Sequence, residues 1–291
     1  MQSYSERAEE FARSLTASPA RLAKSTSNLF RHRSAKNRGL KAESLTHVIR
    51  INNDQNWVDV EAMTPYDELV KATLNHGSLP CVVPQLKSIT IGGAVSGIGI
   101  ESSSFRYGLV HETMMELDVA LPTGELITCT PDNEHADLFF GFPNSYGSLG
   151  YATRIRALTI PALPFVILQH QKYDDFRKFL QALTEATDSD VDYVDGVIFN
   201  RECIVLTTAR FTDHAEPVSD YTQHNVYYRS LLSRETDCLT AEAYIWRWDT
   251  DWFWCSKNLG AQNPLIRRLL GKDRLNSRFY TRVMRWNNRW E

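Results

Sequence analysis

The sequence predicts an α+β protein of two domains. Three observations carry this: short β-branched runs interleaved with a helix near the start, two alternating runs joined by Pro122-Thr123-Gly124, and a restart after Pro161 and Pro164 as strand, helix, strand, strand. The chain has 291 residues, 43% hydrophobic and 23% charged, which fits an ordinary globular protein and excludes disorder as its main state. At about 150 residues per domain, two domains are expected. No window approaches the roughly 18 apolar residues of a spanning helix. Met1-Gln2-Ser3-Tyr4-Ser5-Glu6-Arg7 opens polar rather than as a signal peptide, so a cytoplasmic protein with no transmembrane segment is expected.

In chain order, the spacing of Ala8, Phe11, Ala12 and Leu15 predicts a helix over 3–16, followed by a polar stretch to Glu43 that reads as loop. Thr46–Ile51 and Trp57–Glu61 flank the turn cluster Asn52-Asn53-Asp54 and predict a hairpin. Thr64 as N-cap, Pro65 at the first helical position and Asp67 predict a short helix with Leu69, Val70 and Leu74 inward, stopped at Gly77. Cys81-Val82-Val83 reads as a buried strand. Met115–Leu121 and Glu125–Cys129 predict a second hairpin, because Pro-Thr-Gly between alternating runs is a strong turn signal. A helix over 134–140 precedes Ser145-Tyr146-Gly147-Ser148-Leu149-Gly150, and a strand over 151–160 ends at Pro161. Beyond it come a strand over 165–170, a helix with Phe176, Phe179, Leu180 and Leu183 on one stripe, and strands over 191–199 and 202–208, the opening of an antiparallel layer. The aromatic run Tyr244, Trp246, Trp248, Trp252, Phe253 and Trp254, with Trp286 and Trp290, is expected to serve packing. Asp249 and Asp251 beside it are expected to be structural hydrogen-bond acceptors.

Charge is unevenly placed. Residues 1–50 carry ten Lys and Arg against four Glu, and residues 256–291 carry nine basic against two acidic residues, while the stretch between holds 13 basic and 29 acidic. Nucleic-acid binding wants a basic domain with interleaved aromatics, and the acidic body argues against it. The N-terminal run Arg21, Lys24, Arg31, Arg33, Lys36, Arg38 and Lys41 is suited instead to neutralising phosphates. Cys81, Cys129, Cys203, Cys238 and Cys255 are scattered, which predicts reduced thiols and no structural metal site.

The segment Ser88–Ser104 concentrates the chemistry. Glycines at 92, 93, 97 and 99 remove Cβ atoms, so the backbone is free to take positive φ and press amides against an oxyanion or diphosphate. A P-loop is excluded because no Gly-Lys-Ser/Thr follows, and a Rossmann fingerprint fits poorly because Gly97-x-Gly99-x-x lands on Ser102.

Thr90-Ile91-Gly92-Gly93, Gly97-Ile98-Gly99-Ile100-Glu101-Ser102-Ser103, Leu121-Pro122-Thr123-Gly124-Glu125, Asp137-Leu138-Phe139 and Ser145–Tyr151 together resemble the FAD-binding domain of the vanillyl-alcohol oxidase and p-cresol methylhydroxylase superfamily. Gly-Ile-Glu-Ser-Ser-Ser is similar to the delta(24)-sterol reductase (Diminuto) branch. The resemblance implies a two-lobed, PCMH-type FAD-binding domain over 1–164 and a partial α+β cap over 165–291. Thr90, Ile91, Gly92, Gly93, Ala94, Val95, Ser96, Gly97, Ile98, Gly99, Ile100, Glu101 and Ser102 would wrap the cofactor, with Gly147, Gly150 and Tyr151 adding contacts. Glu101 would repel a diphosphate, so its side chain is expected to turn toward a basic partner or the flavin edge. Lys87 and Arg106 flank the segment as electrostatic helpers.

The family's early glycine-rich loop is replaced here by Leu29-Phe30-Arg31-His32-Arg33-Ser34-Ala35-Lys36. Family members often bind flavin covalently, yet His32 and His111 match no such motif, and non-covalent FAD is expected. Relatives run well beyond this length, so the chain resembles a C-terminally truncated member. The implied function is an FAD-dependent oxidoreductase passing a hydride between flavin N5 and a small hydrophobic substrate, sterol-like or an alcohol, with NADPH as a candidate electron donor. The alternative is a catalytically incomplete flavin-binding fragment or binding module. No catalytic residue, oligomeric state or choice between oxidase and reductase follows from the sequence.

Overall fold

The computed structural model describes residues 2–16, 21–23, 39–42, 44–214, 217–222, 225–252, 255–258, 260–271 and 274–287. They form two compact units. The first comprises Met1–Pro84, Ser88–Ile100 and Leu109–Pro161, and the second Gln85–Lys87, Glu101–Gly108 and Ala162–Glu291. The continuous 1–164 expected from sequence thus contains two short segments whose contacts lie with the second unit, and the glycine-rich segment changes unit after Ile100.

In the first unit, α1 (Tyr4–Leu15) starts at a capping box: Ser3 Oγ accepts from the Glu6 amide while the Ser3 amide donates to Glu6 Oε2. Its Phe11, Ala12 and Leu15 bury against Ala42, Leu45 and Ala120. Within the polar stretch read as loop, β1 (Arg21–Ala23) and β2 (Gly39–Lys41) pair in parallel. The sheet is built from β3 (Val48–Asn52), β4 (Trp57–Glu61), β5 (Ser78–Pro80), β6 (Met114–Ala120), β7 (Leu126–Cys129) and β8 (Tyr151–Pro161), after α2 (Tyr66–Leu74), α3 (Ile91–Gly97) and α5 (Ala136–Gly141) are placed along the chain; α4 (Ser104–Tyr107) belongs to the second unit. Strand order is β3-β4-β8-β6-β7, with β5 pairing to the far end of β8. Both expected hairpins form. The strand expected at Cys81–Val83 is displaced to Ser78–Pro80; the Cys81 amide still donates to Leu158 O on β8, and the chain then leaves the ladder before Pro84, with Cys81, Val82 and Val83 buried in irregular chain. At α2, Pro65 occupies the cap position without a side-chain bond, and the Thr64 hydroxyl donates to the His47 carbonyl instead.

Alternate residues of β8 carry two arginines that fix its register. Arg154 bonds Asp59 on β4 at 2.8 Å and Asp118 on β6 at 2.7 Å and also pairs with Glu116, while Arg156 bonds Asp59 at 2.7 Å. Burial alone would push the Asp118 carboxyl up, but bonds from Arg154 and the Tyr4 hydroxyl outweigh it and hold the carboxyl below its ordinary range.

In the second unit, β9 (Phe165–Tyr173), β10 (Tyr193–Asn200), β11 (Cys203–Thr212) and β12 (Thr236–Thr240) form an antiparallel sheet in the order β10-β11-β9-β12. Helix α6 (Phe176–Thr187) starts where Asp175 accepts from the Arg177 and Lys178 amides, and its Phe179 packs with Ile204 and Leu206. Shorter helices α7 (Tyr227–Ser230), α8 (Ala241–Ile245), α9 (Pro264–Leu270) and α10 (Ser277–Asn287) complete it. Tyr244, Trp246 and Trp248 are buried, as packing requires, and Trp252 is half-buried. Phe253, Trp254 and Trp290 lie outside the described residues, as does the Trp286 side chain. Asp249 accepts from the Lys87 amide at 2.9 Å and from Ser277, and Asp251 pairs with Arg267 at 2.5 Å, so both serve structure. Burial pushes both carboxyls up.

Candidate functional site

The first glycine-rich segment folds as a helix, although glycine is among the poorest helix formers. What makes α3 form is that its opening amides are all captured locally. Thr90 Oγ1 accepts from Gly93, and the amides of Ile91, Gly92 and Ala94 donate to the carbonyls of Thr64, Ala62 and Thr90 at 3.1, 2.8 and 2.9 Å. This corrects the expectation that these amides stand out toward a ligand: all four are bonded within the first unit. Gly92 serves close approach instead, since a Cβ there would meet Ala62 O at 2.7 Å. The positive φ that ends the helix, 56°, falls on Ile98. Ile91, Ala94 and Val95 point into the core, and Ser96 Oγ donates to Gly92 O.

The second segment does use left-handed backbone. Asn144, Tyr146, Gly147 and Gly150 have φ of 58°, 51°, 85° and 137°. Gly150 is required twice over, because a Cβ would also sit 2.6 Å from Ala120 O. The Tyr146 amide donates to Ser96 O at 3.2 Å, which brings the two segments side by side within the first unit. Along this junction Ile98, Ile100, Tyr146 and Leu149 expose apolar surface, Ile100 to 67%. A Cβ on Gly97 would meet only the Tyr146 ring, at 3.6 Å. The Ser145 hydroxyl is buried and has no hydrogen-bond partner among the described residues. Tyr151 follows, its ring edge-on to Phe11 and its hydroxyl pushed up by burial. Small residues, an apolar rim and an unpartnered buried hydroxyl suit an extended ligand with an aromatic part and polar oxygens, which is the chemistry of FAD.

Glu101 and Ser102 leave this junction and enter the core of the second unit. Glu101 Oε1 accepts from Gln85 Nε2 at 2.6 Å and Ser102 Oγ at 2.7 Å, and lies 3.5 Å from Arg247 Nη2. Arg247, 2% exposed, bonds Asp195 at 3.1 Å and lies 4.0 Å from the Tyr244 ring centroid. Glu101 thus turns to a basic partner, as expected. Burial outweighs the Arg247 charge and pushes its carboxyl up. The expected helpers are committed elsewhere: Arg106 donates to the Ser189 and Val191 carbonyls, and Lys87 Nζ lies 5.7 Å from the Trp246 ring. Lys24, Arg31, His32, Arg33, Lys36 and Arg38 lie outside the described residues, as do the side chains of Arg21 and Lys41. His111 sits in a turn over Val110–Thr113 with Nδ1 buried and unpartnered among the described residues.

Sequence reasoning missed Gln85, Asp195 and Arg247, and it gave Ser145 no role although Ser145 opens the second glycine segment. Arg247 lies 146 positions from Glu101, and no local pattern links them. Among the described residues no group of three or more His, Cys, Asp or Glu could hold a metal ion, and no helix is long and apolar enough to cross a membrane. All five cysteines are free.

Residues 21–130, which contain the whole of the first glycine-rich segment, match the model of the FAD binding domain family. The chain carries an FAD binding domain of the PCMH type. Its homologues include the delta(24)-sterol reductase of Homo sapiens, 26% identical over 241 residues, covering 78% of this chain and 46% of that protein. The delta(24)-sterol reductase of Arabidopsis thaliana is 30% identical over 165 residues, covering 53% of this chain and 29% of that protein. Cytokinin dehydrogenase 7 of Oryza sativa subsp. japonica is 33% identical over 147 residues, covering 49% and 28%. The chain therefore spans about half the length, or less, of these relatives.

Proposed function

We propose that this protein is an FAD-dependent oxidoreductase passing a hydride between flavin N5 and a small hydrophobic substrate, sterol-like or an alcohol. The observation that carries the reading is the FAD binding domain match over the segment that meets the second glycine loop. When bound, FAD supplies the two-electron chemistry, and the protein supplies binding, orientation and exclusion of water. In this reading residues 1–164 hold the cofactor and residues 165–291 are part of a substrate cap. Gly97 lets the backbone approach the cofactor, the Ser145 hydroxyl gains its missing partner, and Thr90, Ser96, Gly99, Gly147, Gly150 and Tyr151 line the approach. Ile98, Ile100, Tyr146 and Leu149 keep water from the ring system. Phosphate charge falls to the basic run 21–41, since the amides opening α3 are already bonded. Binding is non-covalent, with NADPH as the candidate electron donor.

A visible spectrum of the protein purified in the presence of FAD tests this. Flavin absorbance that stays with the protein through gel filtration and leaves it on acid precipitation is expected; absence of bound flavin overturns the reading. Anaerobic bleaching by NADPH identifies a reductase, and bleaching by an alcohol a dehydrogenase or oxidase. In the second reading, a flavin-binding fragment or module without turnover, flavin binds and neither donor bleaches it.

A further inference from the structure

Helix α9 is turned inside out. In the sequence Pro264-Leu265-Ile266-Arg267-Arg268-Leu269-Leu270 it is the charged Arg267 that is buried, at 1% exposure, while Leu265 and Leu269 stand 72% and 82% exposed. The inversion is held firmly. Arg267 pairs with Asp251 at 2.5 Å and donates to the carbonyls of Tyr221 and Asn225 at 3.1 and 3.0 Å, so the helix cannot roll to hide its leucines without leaving Asp251 buried and unpaired. Asn263 caps the helix by accepting from the Leu265 amide, and Pro264 occupies its first turn. Leu270, on the inner side, packs with Ala261, Leu275 and Tyr280. Ile266 is 38% exposed and joins the outward face.

Three neighbouring apolar side chains facing outward from a helix anchored by a buried ion pair suit an apolar partner. The charge of the sequence that carries α9 points to which. Arg268 is exposed and flanks the two leucines at helical spacing, and Lys257, Arg274 and Arg282 are also exposed. From Cys255 to Asn287 the chain carries eight Lys and Arg against one Asp, in a protein whose middle is strongly acidic. Leucines beside an almost acid-free basic segment match the boundary of an anionic bilayer, where acyl chains take the leucines and headgroups the arginines. We propose that α9 is a membrane-surface anchor that inserts Leu265 and Leu269 into the interface of anionic lipid bilayers. This surface is independent of the flavin reading, and the experiment needs no flavin.

The test is flotation of the purified full chain with vesicles of phosphatidylcholine alone and of phosphatidylcholine with roughly a third phosphatidylserine. Binding is expected on the anionic vesicles, weaker on the neutral ones, and reduced by salt. Leu265→Ser with Leu269→Ser should weaken binding by at least about tenfold, since each leucine contributes through its buried apolar surface. Both side chains are exposed, so the variant keeps its fold, which circular dichroism verifies. Arg268→Glu should lower binding to the anionic vesicles and leave binding to the neutral ones unchanged. No flotation of the wild type overturns the proposal, as does flotation that the double variant leaves intact. Absence of flotation with a concentration-dependent dimer that the double variant dissociates would instead make the face a contact between copies of this chain.

Discussion

Gly92 and Gly150 belong to the two glycine-rich segments of the first unit, and each lacks room for a Cβ, with a backbone carbonyl oxygen at 2.7 Å and 2.6 Å. They reach that state differently. Gly92 sits in ordinary helical backbone and its hydrogen let α3 press onto Ala62, whereas Gly150 also needs a φ of 137° that side chains rarely adopt. Gly97 differs from both: its backbone is ordinary and the space beside it holds only the Tyr146 ring. A shared residue type therefore covers three roles, and the one that the fold itself does not demand is the one a ligand can explain.

Substitutions grade these roles. Gly150→Ala combines strain with collision and should destabilise by about 3 kcal/mol or more, measured by denaturant unfolding; a loss under about 0.5 kcal/mol would erase the distinction. Gly92→Ala should cost about 1–3 kcal/mol, since Ala62 must shift. Gly97→Ala should leave stability unchanged or raise it by up to about 1 kcal/mol, as alanine favours helix. Its effect should fall on FAD, with affinity in flavin-fluorescence titrations lowered at least about tenfold, roughly the cost of an ill-fitting methyl.

The smallest effect concerns pH. Only the first segment runs into a buried carboxyl. Because burial raises Glu101 in the fold, the protonated form favours folding: that contribution is complete below the ordinary carboxyl value of about 4.3 and is lost as pH rises through the raised value. Glu101→Gln should therefore gain stability relative to wild type with rising pH. Asp118 has the opposite sign, held low in the fold, so the deficit of Asp118→Asn should shrink as pH falls through the acid range. Melting temperatures at several pH values check both.

Much of the fold was legible because its signals are local. Pro122-Thr123-Gly124 and Asn52-Asn53-Asp54 announce their hairpins, and Ala8, Phe11, Ala12 and Leu15 draw a stripe that is buried. The helical state of Ile91–Gly97 was not legible, because glycine propensity argues against it and the bonds to Thr64 and Ala62 come from elsewhere in the chain. The direction of Glu101 was legible from charge, its partner was not. The structural role of Asp251 was legible from its place beside the aromatic run, but its partner Arg267, 16 positions away on α9, was not.

The place of β8 has a consequence for biosynthesis. It is the last strand of the first unit to be made, yet it lies between β4 and β6 and also carries β5. Before residues 151–161 emerge, the nascent chain can close the β3–β4 and β6–β7 hairpins, but β4 and β6 present open edges with no strand between them. Assembly of the unit is then a single late insertion rather than a stepwise growth, and Arg154 and Arg156 arrive on that strand to meet acids already waiting on both sides. A chain halted after residues 114–129 have emerged but before residues 151–161 do would hold two half-sheets whose exposed edges invite pairing with other chains.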